Sequence, residues 1–346
     1  MQSTSYLYRP VLKKAWAIAK KYPSLWILGI LSMIFSIGSE YEIILRAVYN
    51  SSRDGIVNAF LDGINKGLLE ATTLTSQNFW INSWNIFINN IGSATTALFI
   101  FACAFLVLLL LIWLSICAQI AIIYNIYLID KDKKTTLNEA FNFAFANFLP
   151  IMLAVILFKI FLFLMFFGLG FLLWLVANWG WLADIIYILF FVIFISISLI
   201  LAFLIKYQIF YILLKKKDFV TAFKDGWNLF VKNWLISLEM AVLVFFIFLI
   251  GTIISAFLIS IFFAIPIIIV PYYFSVWPVF LKISISVLSL IGVVATTIII
   301  NTLFTLMQWA CWVLLFSRLE KGEAKSSIEK ISATIKELPQ LIMSKN

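Results

Sequence analysis

Histidine is absent from all 346 residues. That excludes histidine-based catalytic triads, histidine-ligated zinc or haem, and histidine proton relays. Charge is scarce: Asp, Glu, Lys and Arg make up 12% of the chain, against about a quarter in a soluble protein. The three cysteines, Cys103, Cys117 and Cys311, lie inside apolar runs with no CxxC spacing. They suggest neither a disulfide framework nor a metal cage, and they read as small buried apolar residues. Glycine-rich phosphate loops, the HExxH zinc motif and the GxSxG nucleophile elbow are missing as well. No cofactor, metal site or catalytic residue is expected, and the chain reads as a non-enzyme.

Apolar surface is what the chain has in excess. It is 64% hydrophobic, with a mean hydropathy of +1.08. A soluble fold of this length has too little interior to enclose that much. Lipid is therefore the expected solvent. A hydrocarbon core of about 30 Å takes about 20 apolar residues as a helix. Six stretches are candidates, near Ser24–Ser39, Ser93–Ile129, Leu149–Val176, Asp184–Leu214, Trp234–Phe263 and Leu281–Phe316. The expected fold is all-α and polytopic, with six transmembrane helices in three hairpins. The second and sixth stretches exceed one crossing, so they should tilt or project. The first ends in Ser36-Ile37-Gly38 after a basic lead, which resembles a signal-peptide cleavage site. Its lead pattern recurs later, where no cleavage is possible, so retention is expected.

The charges sort by side. The segments before span one, between spans two and three, between four and five, and after six hold 19 of the 25 Lys and Arg residues. The alternate loops hold Arg46, Arg53 and Lys66. By the positive-inside rule both termini are cytoplasmic and the hairpins point outward from the cell membrane. The inner side carries 19 basic against 9 acidic residues. Its expected partners are anionic lipid headgroups, at about 1 kcal/mol per well-placed basic residue, and not nucleic acid.

A short pattern recurs before spans one, three and five. Small-aromatic pairs fall at Ala15-Trp16, Ala140-Phe141 and Gly226-Trp227. Seven residues after the small residue come Asn147-Phe148-Leu149 and Asn233-Trp234-Leu235, with Tyr22-Pro23-Ser24 in the first copy. Each copy has helically spaced apolar residues with Lys or Asn between them. The expectation is a cytoplasmic interfacial helix, flat in the headgroup layer, that turns into the bilayer. The competing reading is ordinary crowding of aromatics and lysines at membrane boundaries. The chain then divides into units 8–130, 131–217 and 218–319, with an amphipathic tail at 320–346.

Outside the spans, Trp80, Trp84, Phe87 and Ile91 share one helical face. The tight Ala177–Trp181 turn reads as an outer aromatic anchor. The segment holding Pro266, Pro271 and Pro278 is expected to bend back into the outer leaflet.

Charges within spans cost about 2.5–3.5 kcal/mol each on insertion scales. Lys159, Lys206 and Glu239 carry that cost. Lys206 and Glu239 lie at depths compatible with an ion pair. The functional reading is a polar focus for an ion or a lipid headgroup. The structural reading is a packing pair plus snorkelling lysines. Thr297, Asn301, Thr305 and Gln308 form a polar stripe at i, i+4, i+8 and i+11. Such a stripe turns away from lipid, either as interhelical glue or as the lining of a wet cavity. Gly168, Gly170 and Gly251 permit close helix approach.

The run Gly226-Trp227 with Lys232-Asn233-Trp234-Leu235, and more weakly Ala140-Phe141 with Asn147-Phe148-Leu149, resembles the membrane domain that accompanies some glycerophosphodiester phosphodiesterases. A broad set of bacterial multi-pass proteins shares that pattern. The family's chemistry resides in a separate soluble barrel using histidines and acidic metal ligands, and no such residue carries over. The resemblance implies a stand-alone membrane module. The resulting expectation is a membrane scaffold or accessory protein contacting anionic lipids. A transporter or channel is the alternative, and an intramembrane enzyme lacks any catalytic constellation to support it.

Overall fold

The computed structural model describes residues 8–33, 91–133, 136–176, 179–264 and 278–322. Every regular element among them is helical: α1 (Tyr8–Lys21), α2 (Pro23–Ser32), α3 (Ile91–Asp130), α4 (Leu137–Ala146), α5 (Phe148–Val176), α6 (Trp181–Lys215), α7 (Phe219–Lys232), α8 (Trp234–Ala264) and α9 (Val279–Glu320). Five of these, α3, α5, α6, α8 and α9, are long and apolar enough to cross a membrane. At 1.5 Å per residue the 42 residues of α9 reach about 63 Å. That is twice a hydrocarbon core, as expected for an overlong span. The sixth expected span is represented by the ten residues of α2. Residues 34–39 of that stretch lie outside the described residues, as do the 80–87 aromatic face, the Pro266 and Pro271 segment and the tail beyond Gly322.

The helices fall into two compact units. One holds α1, α2, α4, α7, α8 and α9, together with α3 from Ser115, α5 up to Ile151 and α6 from Lys206. In it α9 packs against α1, α2 and α8. Small residues set these approaches. A methyl group on Gly29 of α2 would meet the Thr302 methyl of α9 at 2.6 Å. A methyl on Gly251 of α8 would fall inside the Phe304 ring of α9. The core around the last three turns of α9 is aromatic, with Trp309, Trp312 and Phe316 buried beside Tyr207 and Phe210 of α6.

The second unit holds α3 up to Leu114, α5 from Met152 and α6 up to Ile205. Its core is Leu169 and Tyr187 with Phe190, Phe191 and Phe194 packed against them. Much of the rest is exposed and apolar. From Leu98 to Leu110 α3 is exposed on every side, as a helix bathed in lipid tails can be. Cys103 lies in that stretch, so it is exposed, contrary to expectation, while Cys117 and Cys311 are buried. The reason is that an apolar run in lipid has no need to face protein. Likewise Gly168 of α5 has open space where a side chain would be, and is not a close-approach site.

Candidate functional site

The site is built at the end of the first unit where α3, α6 and α9 stop and α5 and α8 start. Each of the three stopping helices ends in a left-handed residue: Asp132 (φ 57°), Lys216 (φ 53°) and Gly322 (φ 69°). That conformation closes a helix C-terminus and frees the chain to reverse. After Asp132 the chain enters α4 through a capping box. The Thr136 hydroxyl accepts from the Glu139 N–H, and the Glu139 carboxylate accepts from the Thr136 N–H. After Lys216 it enters α7, whose N-terminus is capped by the Asp218 carboxylate accepting from the Thr221 N–H at 3.1 Å. These hydrogen bonds favour the ionised form and hold the Asp218 carboxyl below its ordinary range, the Thr221 hydroxyl contributing most.

Each short helix runs into a long or apolar one across a single residue: α1 into α2 at Tyr22, α4 into α5 at Asn147, α7 into α8 at Asn233. The asparagines have a definite task. Asn147 Nδ2 donates to the Phe143 carbonyl at 2.8 Å, and Asn233 Nδ2 donates to the Leu229 carbonyl at 3.0 Å. Each is a side-chain donor to a carbonyl in the last turn of the short helix, one that also accepts the asparagine's own backbone N–H. In the first copy Trp26 does this from the far side of the break, its indole N–H donating to the Ala19 carbonyl at 2.9 Å.

The small-aromatic pairs split the same way in the first and third copies and less sharply in the second. Ala15, Ala140 and Gly226 are buried. Each short helix meets the unit through them, as at Gly226, where a methyl would stand 3.2 Å from the Gln208 backbone nitrogen of α6. Trp16 and Trp227 are exposed, and Phe141 is half-buried with Phe145 exposed beside it. Helix α7 adds Val220, Phe223 and Val231 to the same exposed stripe, and Trp234 follows at the start of α8. These helices thus have three faces: one against the unit, one apolar and exposed, one polar.

The polar residues expected within spans are distributed as follows. Lys206 is 1% exposed, with its ammonium 4.5 Å from the centre of the Trp312 ring. The neighbouring Tyr207 shares a 2.6 Å hydrogen bond with Ser237 of α8. Glu239, two residues further along α8, accepts from the Tyr8 hydroxyl of α1. Lys159 belongs to the other unit, half-buried on α5. Thr297, Asn301, Thr305 and Gln308 are all half-buried on α9, and the Thr297 hydroxyl donates to the Val293 carbonyl.

Several polar contacts had little or no signal in the sequence. Nothing in the residues around Tyr8 points to a partner on α8. Gln119 and Ser115 of α3 both donate to the Ser32 carbonyl at the end of α2, each at 3.2 Å. Gln119 stands one turn from Ser115 in an otherwise apolar run, which was the available clue. Together the arrangement offers two capabilities: an aromatic and basic surface at one end, and a buried polar layer that ties helices together. No family model, curated protein or solved structure matches the chain.

Proposed function

We propose that this multi-pass membrane protein is a non-enzymatic scaffold or accessory module of the cell membrane. In this reading the end bearing α1, α4 and α7 faces the cytoplasm, both termini lie there, and the three short helices rest in the inner leaflet against anionic lipid. The observation that carries it is the threefold recurrence of a short helix with an exposed aromatic that turns, across one residue, into an apolar helix. Flat amphipathic helices with aromatics at headgroup depth are a physical solution for anchoring at a bilayer interface. The likeness of Gly226-Trp227 and Asn233-Trp234 to the membrane domain of glycerophosphodiester phosphodiesterases supports a module of this kind.

The test is native mass spectrometry of the protein released from nanodiscs of mixed phosphatidylglycerol and phosphatidylcholine. Enrichment of phosphatidylglycerol is expected. Retention of both lipids in proportion to their supply would sink the reading. Reporter fusions at residues 1 and 346 should both report the cytoplasm.

A second reading, a transporter, is motivated by the stripe Thr297, Asn301, Thr305 and Gln308, which is half-buried and not sealed in the core. It requires that Glu239→Gln or Lys159→Met abolish solute flux in proteoliposomes while leaving the protein folded. If both change only stability, that reading loses its motivation.

A further inference from the structure

The three short helices are alike in shape and unlike in charge. Helix α4 contains Glu139 and no basic residue. Helix α7 has Lys224 and Lys232, with Asp225 on the same side of the helix and paired to Lys217. Helix α1 has five basic residues and no acid. Four of its residues, Arg9, Lys13, Trp16 and Lys20, stand at i, i+4, i+7 and i+11, which is one helical stripe. All four are exposed. Of the two cations outside that stripe, Lys14 and Lys21, Lys14 has an acidic partner, Asp130 of α3 at 2.7 Å. Among the described residues no ion pair engages Arg9, Lys13 or Lys20, and the Lys20 ammonium lies 5.9 Å from the Trp16 ring centre.

This row of cations is also held still. The opposite face of α1, Tyr8, Val11, Ala15, Ile18 and Ala19, is buried against its own unit, where α1 packs on α9. Tyr8 ties its first turn to Glu239 of α8, Lys14 ties its middle to Asp130, and Trp26 ties its last turn to α2. A mobile tail would pay ordering entropy to gather three cations; α1 presents them already spaced over about 16 Å, at 1.5 Å per residue.

We propose that the stripe Arg9–Lys13–Trp16–Lys20 is an anionic-phospholipid site, and that it, not α4 or α7, carries most of the chain's preference for negatively charged headgroups. Phosphates pair with the three cations, and Trp16 inserts at the headgroup boundary beside them. The charge complementarity, the adjoining apolar helix α2 and the interleaved indole all fit a lipid surface. This inference rests on the proposed orientation of the short helices towards the inner leaflet.

The test compares two triple variants with the wild-type chain in the mixed nanodiscs described above. Arg9→Gln/Lys13→Gln/Lys20→Gln removes the stripe, and Lys224→Gln/Lys232→Gln/Lys321→Gln removes three cations elsewhere at the same end. The readout is retained phosphatidylglycerol, alongside a photoactivatable phosphatidylglycerol whose crosslinks are mapped to peptides. The stripe variant is expected to lose phosphatidylglycerol retention at least tenfold, since each well-placed cation contributes about fivefold. The control variant is expected to change less than threefold, and crosslinks should concentrate on 9–21. Equal losses in both variants, or crosslinks concentrated on 219–234, would overturn the assignment while leaving lipid preference intact. A stripe variant that keeps its phosphatidylglycerol but loses a co-purifying acidic protein would overturn it in favour of a protein partner. Absence of enrichment in the wild type would instead remove the underlying functional reading.

Discussion

The Lys206 ammonium lies 4.5 Å from the centre of the Trp312 ring, with both side chains buried. A cation removed from water is costly, and the negative face of an indole offsets part of that cost, by about 2 kcal/mol when the pair is desolvated. A double-mutant cycle of Lys206→Met and Trp312→Leu, read by unfolding in mixed detergent, should give a coupling of about 1–2 kcal/mol. Additive effects would mean that the two side chains are neighbours only.

The paired hinges give a second expectation. Asn147→Ala and Asn233→Ala each remove one side-chain bond to a helix-end carbonyl, at about 1 kcal/mol apiece. The residues sit in different copies of the motif, so the losses should add within about 0.5 kcal/mol. Hydrogen exchange should quicken locally around 144–151 and 230–237. Unchanged exchange in both variants would show that the amides are not holding the breaks.

Glycines that look equivalent in the sequence should behave in opposite ways. Gly251→Ala places a methyl within the Phe304 ring, and overpacking of this kind costs about 1–3 kcal/mol. Gly168→Ala meets open space, and helix propensity makes it neutral or stabilising by up to about 1 kcal/mol. The same detergent unfolding assay separates them. Equal effects would contradict the packing of α8 on α9.

Two ties of α1 should differ in strength. Tyr8→Phe removes a hydrogen bond to a carboxylate, worth about 1.5–3 kcal/mol. Lys14→Gln removes an ion pair whose lysine side chain is 42% exposed, worth less than about 1 kcal/mol and fading with added salt. Limited proteolysis within residues 8–21 is a direct readout. A larger effect from Lys14→Gln would reverse the assignment of the main tie.

The cap of α7 predicts a pH response of definite sign. The Asp218 carboxyl is held below its ordinary value by hydrogen bonds to Thr221. A depressed folded-state value means its contribution is present above the unfolded value and is lost as pH falls through the folded one. The first turn of α7 should therefore loosen in acid, below the ordinary carboxylate range and not near neutrality. Thr221 amide protection, corrected for intrinsic exchange, checks this, with Asp218→Asn as the pH-insensitive comparison.

Much of this architecture is legible in the sequence. Lipid has no use for amphipathic patterning, so the long spans announce themselves as unbroken apolar runs, and α3, α5, α6, α8 and α9 fall where those runs do. The short helices were legible because their polar residues must reach water, which imposes helical spacing on Lys and Asn. The hinge asparagines were visible as a recurrence, though the carbonyls they satisfy were not. Contacts between distant helices left no trace of that sort. Tyr8 meets Glu239 across 231 residues, and no periodicity within either helix encodes the other. The left-handed residues Asp132 and Lys216 were hidden for a further reason: neither is glycine, so the chain gave no conventional stop signal there.

The packing of α1 against α9 sets an order of events during synthesis. The ribosome delivers α1 early and α9 some 258 residues later, on the order of tens of seconds at ordinary elongation rates. Until α9 emerges the buried stripe of α1 lacks the helix it mainly packs on, and keeps only ties such as that of Tyr8 to Glu239 of α8. Synthesis of α9 is what covers the rest, so a chain cut short before α9 should leave most of that first-helix stripe unsheltered.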